Sequence, residues 1–194
     1  MGTPEFAIPS LKALIDAEHE ICAVFTKPDK PQGRKMIITP PPVKVFAQEK
    51  GIKVFQPEKL KVTEVYKIIE DLSPDAIVVV AYGKILPKNI IEFPKYGCIN
   101  VHGSLLPKYR GAAPIQWSII NGDKITGITT MFMNEGLDTG DILLQSKVYI
   151  NKNETSEDLK KRLSLVGADL LIKTLEKIKN GTIERIKQND GEAT

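Results

Sequence analysis

Apolar residues at Ala7, Ile8, Leu11, Leu14 and Ile15 recur at the helical period, and they predict a helix just after a Gly2-Thr3-Pro4 turn, with Pro9 tolerated in the opening turn. An apolar run of strand length follows at 21–26. Helical spacing returns over 43–50 and stops at Gly51, and 52–55 again has the composition of a strand. Val62, Val65, Ile68, Ile69 and Leu72 share one helical face, ahead of predicted strands at 76–82 and 98–102. Beyond His102 the pattern changes to a loop with Gly and Pro, a helix around 115–120, and two strand-type runs at 127–133 and 142–150. Thr155-Ser156-Glu157-Asp158 supplies an N-cap and acidic first turn for a long last helix, whose stripe is Leu159, Leu163, Val166, Leu170, Leu171, Leu175 and Ile178. Strand–helix–strand alternation predicts an α/β fold with a doubly wound, mostly parallel sheet. A Gly turn in such a sheet normally follows a strand, so the turn at Gly2 predicts that a strand is missing ahead of it.

One main domain over 1–180 is expected, with a polar, loose segment at 181–194. Residues 27–42 interrupt the alternation with five prolines, Gly33 and several cations, which reads as a long stiffened loop. The 194 residues, 42% of them apolar, suffice for one core. A net charge of +3 is too small for a wholly polybasic protein, so any nucleic-acid contact must be local. The apolar run at 76–81 is far shorter than the ~20 residues that span a bilayer, and no signal pattern opens the chain, so a cytoplasmic location is expected. Cys22 and Cys98 both fall in apolar runs and are expected to be buried, reduced thiols. His19 and His102, the two histidines, are too far apart in sequence to suggest a zinc cluster, and no metal is expected. Trp117 is expected in the core.

In an α/β sheet, ligands bind outside the carboxyl ends of the strands. Asn100 and His102 lie at such an end, two residues apart, so both side chains leave the same face and can converge on a small polar group such as a carbonyl oxygen. The loop Asn134-Glu135-Gly136-Leu137-Asp138-Thr139-Gly140-Asp141 sits between two strand-type runs, and an aspartate from it could orient the His102 imidazole. Asp138 and Asp141 both qualify. On composition alone a lone strand-end His also reads as a hydrogen-bonded structural residue, and the Gly-Leu-Asp-Thr-Gly-Asp run also reads as a hairpin turn.

The text Gly97-Cys98-Ile99-Asn100-Val101-His102-Gly103-Ser104-Leu105-Leu106-Pro107, running into Lys108-Tyr109-Arg110-Gly111-Ala112-Ala113-Pro114-Ile115-Gln116, resembles the signature of the folate-dependent formyltransferases. Met1-Gly2-Thr3-Pro4-Glu5-Phe6, Ala81-Tyr82-Gly83-Lys84-Ile85-Leu86-Pro87 and Gly136-Leu137-Asp138-Thr139-Gly140-Asp141 extend the likeness over nearly the whole chain. The resemblance implies a Rossmann-like formyltransferase fold with Asn100, His102 and Asp138 as catalytic residues. It implies 10-formyltetrahydrofolate as formyl donor, with Lys84, Ile85, Leu86, Ser104, Leu105, Leu106, Pro107, Gly136 and Leu137 at its site. It further implies methionyl initiator tRNA as acceptor, touched by Arg34 and Lys35 in the 27–42 loop; the sequence does not reveal the oligomeric state, for which a monomer is the expectation. Against the family's pattern, the chain is expected to lack the first β-strand and the C-terminal domain, with 181–194 beginning a linker. Transfer to a small amine, or a non-catalytic folate- or RNA-binding fragment, are the alternatives.

Overall fold

In the computed structural model, which describes residues 1–194, the predicted alternation is realised with a short sheet. The first helix is α1 (Ile8–Asp16), with Pro9 in its opening turn, where a missing N–H costs nothing. Next come β1 (Val24–Phe25), β2 (Lys30–Gln32), β3 (Ile37–Thr39), α2 (Pro42–Glu49) and β4 (Val54–Phe55). The middle of the chain forms α3 (Thr63–Leu72), β5 (Ile77–Val79), α4 (Lys88–Ile91), β6 (Cys98–His102) and α5 (Pro114–Ile120). The two long strands β7 (Ile125–Phe132) and β8 (Ile142–Tyr149) precede the last helix α6 (Ser156–Lys179).

β1 pairs with β4 and β5 with β6, both parallel, whereas β6–β7 and β7–β8 are antiparallel. For β7–β8 the cause is simple: the connection at 133–141 is shorter than the dozen or so residues a parallel crossover needs. Between β1 and β5, Met1 and Gly2 span the place where a further strand was expected. Gly2 N–H donates to the Phe25 carbonyl at 3.0 Å, Val80 N–H donates to the Met1 carbonyl at 2.9 Å, and Gly2 faces Val80 in a parallel bridge. The two halves of the sheet are thereby joined.

Residues alternate between the two faces as strand geometry requires, except where the β7–β8 register shifts between Thr130 and Met131. Val80, Ile99, Val101, Ile128 and Leu143 pack with Leu11 and Leu14 of α1 and with Leu159, Leu163, Leu170 and Leu171 of α6. Each such side chain removed from water contributes about 1.5–3 kcal/mol. On the opposite face Ile77, Val79 and Cys98 pack with Val65 and Ile69 of α3 and Ile90 and Ile91 of α4. The start of α6 is set by the expected cap: Asp158 N–H donates to Thr155 Oγ1 at 3.2 Å, and Thr155 N–H donates to Asp158 Oδ2 at 3.3 Å. The Thr155 hydrogen bonds hold the Asp158 carboxyl below its ordinary range.

Several expectations are corrected. The 27–42 segment is not a plain connector, since β2 and β3 pair as an antiparallel ribbon with Arg34 and Lys35 exposed at its tip. Pro31 within β2 masks this in the sequence, yet Pro is tolerated where a ribbon edge faces solvent. The run at 21–26 yields only the two-residue β1, and Cys22 is exposed. Trp117 is about half exposed on α5. The segment after Gly181 is pinned rather than loose: Ile186 and Ile142 exchange both backbone hydrogen bonds, at 2.8 and 2.9 Å.

The cysteines therefore differ in chemistry. Burial pushes the Cys98 thiol up to about 12, and its Sγ lies 3.6 Å from the Ile90 carbonyl. Since the thiolate is the reactive form, iodoacetamide at neutral pH is expected to modify Cys22 promptly and Cys98 only on unfolding, as read by peptide mass spectrometry with and without denaturant.

Candidate active site

β6 lies between β5 and β7 and all five of its residues are buried, so polar side chains on it need partners. Val79 stands beside Asn100 in the register, and Thr129 beside His102. Asn100 and His102 share the face that carries Cys98, but at the carboxyl end of the strand, past the cover of α3 and α4, so they open onto a cavity of about 640 Å³.

Asp138 arrives from the loop between β7 and β8. Its backbone is left-handed, φ 51°, a region that Asp adopts more readily than most residues and that aims its carboxylate back at the strand end. Asn100 Nδ2 donates to Asp138 Oδ1 at 3.2 Å, and Gly111 N–H donates to Oδ2 at 2.9 Å. His102 Nδ1 stands 3.5 Å from Oδ2. The other ring nitrogen, Nε2, is 2.8 Å from the Tyr109 carbonyl. A carbonyl can only accept, so Nε2 carries a hydrogen, and the Nδ1–carboxylate contact is attractive when Nδ1 carries one as well. Asp141 is engaged elsewhere, its Oδ2 taking a hydrogen bond from Arg185 Nε at 3.1 Å. Of the two aspartates that composition leaves open, Asp138, the one the resemblance implies, is the one beside His102. Gly140 allows the loop its path, because a Cβ there would lie 1.7 Å from the Phe132 carbonyl oxygen.

Lys84, Ile85, Leu86, Gly136 and Leu137 line the same cavity as Asn100, His102 and Asp138. Ile85 and Leu137 are 79% and 68% exposed, leaving apolar surface uncovered on two sides of it. The Lys84 ammonium instead turns to the Pro57 and Glu58 carbonyls, and desolvation, helped by the nearby Lys27 charge, holds it below the ordinary lysine range. Ser104, Leu105, Leu106 and Pro107 lie outside the lining. Ser104 and Leu106 are buried, and Thr129 Oγ1 donates to the Ser104 carbonyl at 2.7 Å and accepts from Leu106 N–H at 3.0 Å. These bonds brace the backbone just after His102 from behind. Arg34 and Lys35 belong to the exposed ribbon and do not line the cavity. No group of three or more His, Cys, Asp or Glu that could hold a metal ion comes together.

Sequence reasoning missed the partners that complete the cluster. Tyr109 acts through its carbonyl, Gly111 through its amide, and Gln188 donates to the Asp138 and Gly140 carbonyls, both at 2.8 Å. Main-chain roles leave no mark on side-chain identity, and Gln188 lies 50 residues from Asp138.

The fold and site define a doubly wound α/β domain that gathers an amide, an imidazole and a carboxylate at a strand's carboxyl end, beside an apolar cavity. The chain belongs to the formyl transferase family, whose sequence profile matches residues 1–175. It is 58% identical over its full length to the methionyl-tRNA formyltransferase of Alkaliphilus oremlandii, covering 63% of that protein. It spans about 62% of the length of the curated relatives it matches. Among solved structures it is similar to the phosphoribosylglycinamide formyltransferase of Anaplasma phagocytophilum, with TM-score 0.78, 21% identity and coverage of 100% of this chain and 93% of that one. It is also similar to the formyltransferase PseJ of Anoxybacillus kamchatkensis, solved with tetrahydrofolate and a formamido sugar nucleotide, with TM-score 0.63, 27% identity, and 89% and 83% covered.

Proposed function

We propose that this chain carries the centre that transfers the formyl group of 10-formyltetrahydrofolate to the α-amine of methionine esterified to initiator tRNA. The observation that carries the reading is the Asn100–Asp138–His102 cluster facing one apolar cavity, in a chain so similar to a methionyl-tRNA formyltransferase. The cavity's volume falls within the range of small-molecule sites, and the uncovered Ile85 and Leu137 suit the faces of a flat heterocycle. Lys84, Ile85, Leu86, Gly136 and Leu137 would hold the folate, with Ser104–Pro107 shaping the site from beneath. When bound, the formyl-folate supplies an electrophilic formyl carbon whose bond to the folate nitrogen breaks as the bond to the amine forms.

The chain's own residues stabilise the charge that develops on the carbonyl oxygen and manage protons. Asn100 uses one amide hydrogen on Asp138 and keeps the second for that oxygen. His102 Nε2–H, held in this structure by the Tyr109 carbonyl, becomes the other donor when substrate takes that carbonyl's place. Asp138 keeps the ring oriented and relays the proton lost by the amine toward the departing nitrogen. An initiator-tRNA acceptor supports a cytoplasmic site for the reaction.

Arg34 and Lys35, exposed on the proline-stiffened ribbon, are the phosphate contacts in this reading, and a basic ribbon of this kind favours tRNA over a small amine as acceptor. Arg34→Ala is expected to raise KM for charged tRNA about tenfold or more, the cost of a charged hydrogen bond, with folate affinity unchanged. Equal effects on both substrates would remove the ribbon from tRNA binding. The test of the whole reading is formyl transfer by the purified protein, with charged initiator tRNA, with small amines, and with neither. Transfer only to small amines, or folate binding without transfer, would replace it.

A further inference from the structure

Gln188 saturates its side-chain amide on two separate loops. Its Nε2 gives one hydrogen to the Asp138 carbonyl and one to the Gly140 carbonyl, both at 2.8 Å, and its Oε1 accepts from Arg110 Nε at 2.9 Å. Arg110 follows Tyr109, whose carbonyl holds His102 Nε2, and precedes Gly111, whose N–H holds Asp138 Oδ2. One side chain thus ties together the two loops that contact both ring nitrogens of His102, one of which also holds Oδ2 of Asp138. Asp138 sits in a left-handed backbone conformation that the surrounding contacts must maintain, and two of the three carbonyls at 138–140 are held by this amide.

We infer that Gln188 is a positioning residue for the reaction: it sets the spacing between the 109–111 and 138–140 loops and so fixes the His102 ring and the Asp138 carboxylate relative to each other. It touches neither catalytic side chain and acts only through backbone and Arg110. The segment 186–190 is therefore part of the site's framework, with the Arg110–Asp190 ion pair at 2.8 Å as a second, more exposed tie. The Gln188 side chain is matched to this task because only an amide offers two donors and an acceptor in one plane.

Two variants separate its contacts: Gln188→Met removes all three, and Gln188→Glu keeps an acceptor for Arg110 while losing both donors. The kinetic part of the test rests on the formyl-transfer reading above, and a second part does not. With only two histidines in the chain, the imidazole N–H and C–H signals in nuclear magnetic resonance spectra report His102 directly, with exposed His19 as internal control. Both variants are expected to move the His102 ring signals and leave those of His19 in place. They are expected to lower kcat about 10- to 100-fold, the scale of a small misplacement of catalytic groups, with KM for the formyl donor changed less than about twofold. Unmoved His102 signals, or wild-type kcat in the folded variants, would overturn the inference, as would a loss of turnover that merely follows a lowered folded fraction. If Gln188→Met does not fold, Gln188→Glu decides the matter. A wild-type protein that transfers no formyl group would defeat the proposed function, while the ring signals would still judge Gln188.

Discussion

Asp138→Asn is expected to lower formyl transfer by about 10²–10³ while leaving folate binding and the fold in place, the scale seen when one preorganised polar group is lost from an active site. The variant changes almost no volume, and Asn tolerates the left-handed backbone at this position as well as Asp does. What changes is the pattern of donors and acceptors. In the native protein both carboxylate oxygens accept, from Asn100 Nδ2 on one side and from Gly111 N–H, with His102 Nδ1 alongside, on the other. An amide has one accepting oxygen. Whichever way it turns, its NH2 meets either the Asn100 amide hydrogens or the Gly111 N–H, and a donor–donor contact in a site where Asp138 is only 15% exposed costs the lost hydrogen bond. The measurement is single-turnover formylation beside calorimetric folate binding. Turnover within threefold of wild type would remove Asp138 from the mechanism.

His102→Ala is expected to reduce turnover by about 10²–10⁴, the usual range for loss of a positioned acid–base group. The side chain is 7% exposed and touches the protein through both nitrogens, so its removal also frees the Tyr109 carbonyl and deprives Asp138 of a neighbour. The distinguishing outcome is again the split between steps. If the imidazole acts on the reacting atoms, kcat falls and donor affinity holds. If it is only a structural strut, thermal stability falls and the folded fraction keeps its rate. Added imidazole restoring part of the rate in the alanine variant would further favour the chemical role.

The elements that matched expectation are those with a strong local pattern. The stripe from Leu159 to Ile178 and the Thr155–Asp158 cap mark α6 within a residue or two, because a 3.6-residue apolar period and a capping pair are local properties of the chain. β6 was legible for the same reason, and with it the shared face of Asn100 and His102. The four-residue α4, wedged between prolines 87 and 94, has too short a period to detect, and the ribbon at 30–39 was hidden by its prolines. Cys22 is exposed although its neighbours are apolar, since burial depends on which elements pack over a run and not on the run itself.

From the sequence alone followed the α/β alternation, the strand that carries Asn100 and His102, and, through resemblance, the family and the aspartate loop that answers them. Only the folded chain decided that Asp141 is engaged by Arg185 while Asp138 meets the imidazole, that Thr129 holds the backbone at Ser104 and Leu106, and that Gln188 joins two loops. The physical reason is distance along the chain. Asn100 and Asp138 are 38 residues apart and Arg110 and Gln188 are 78 apart, so their contacts arise from how strands and loops are packed against one another, and no local spacing of residue types encodes them.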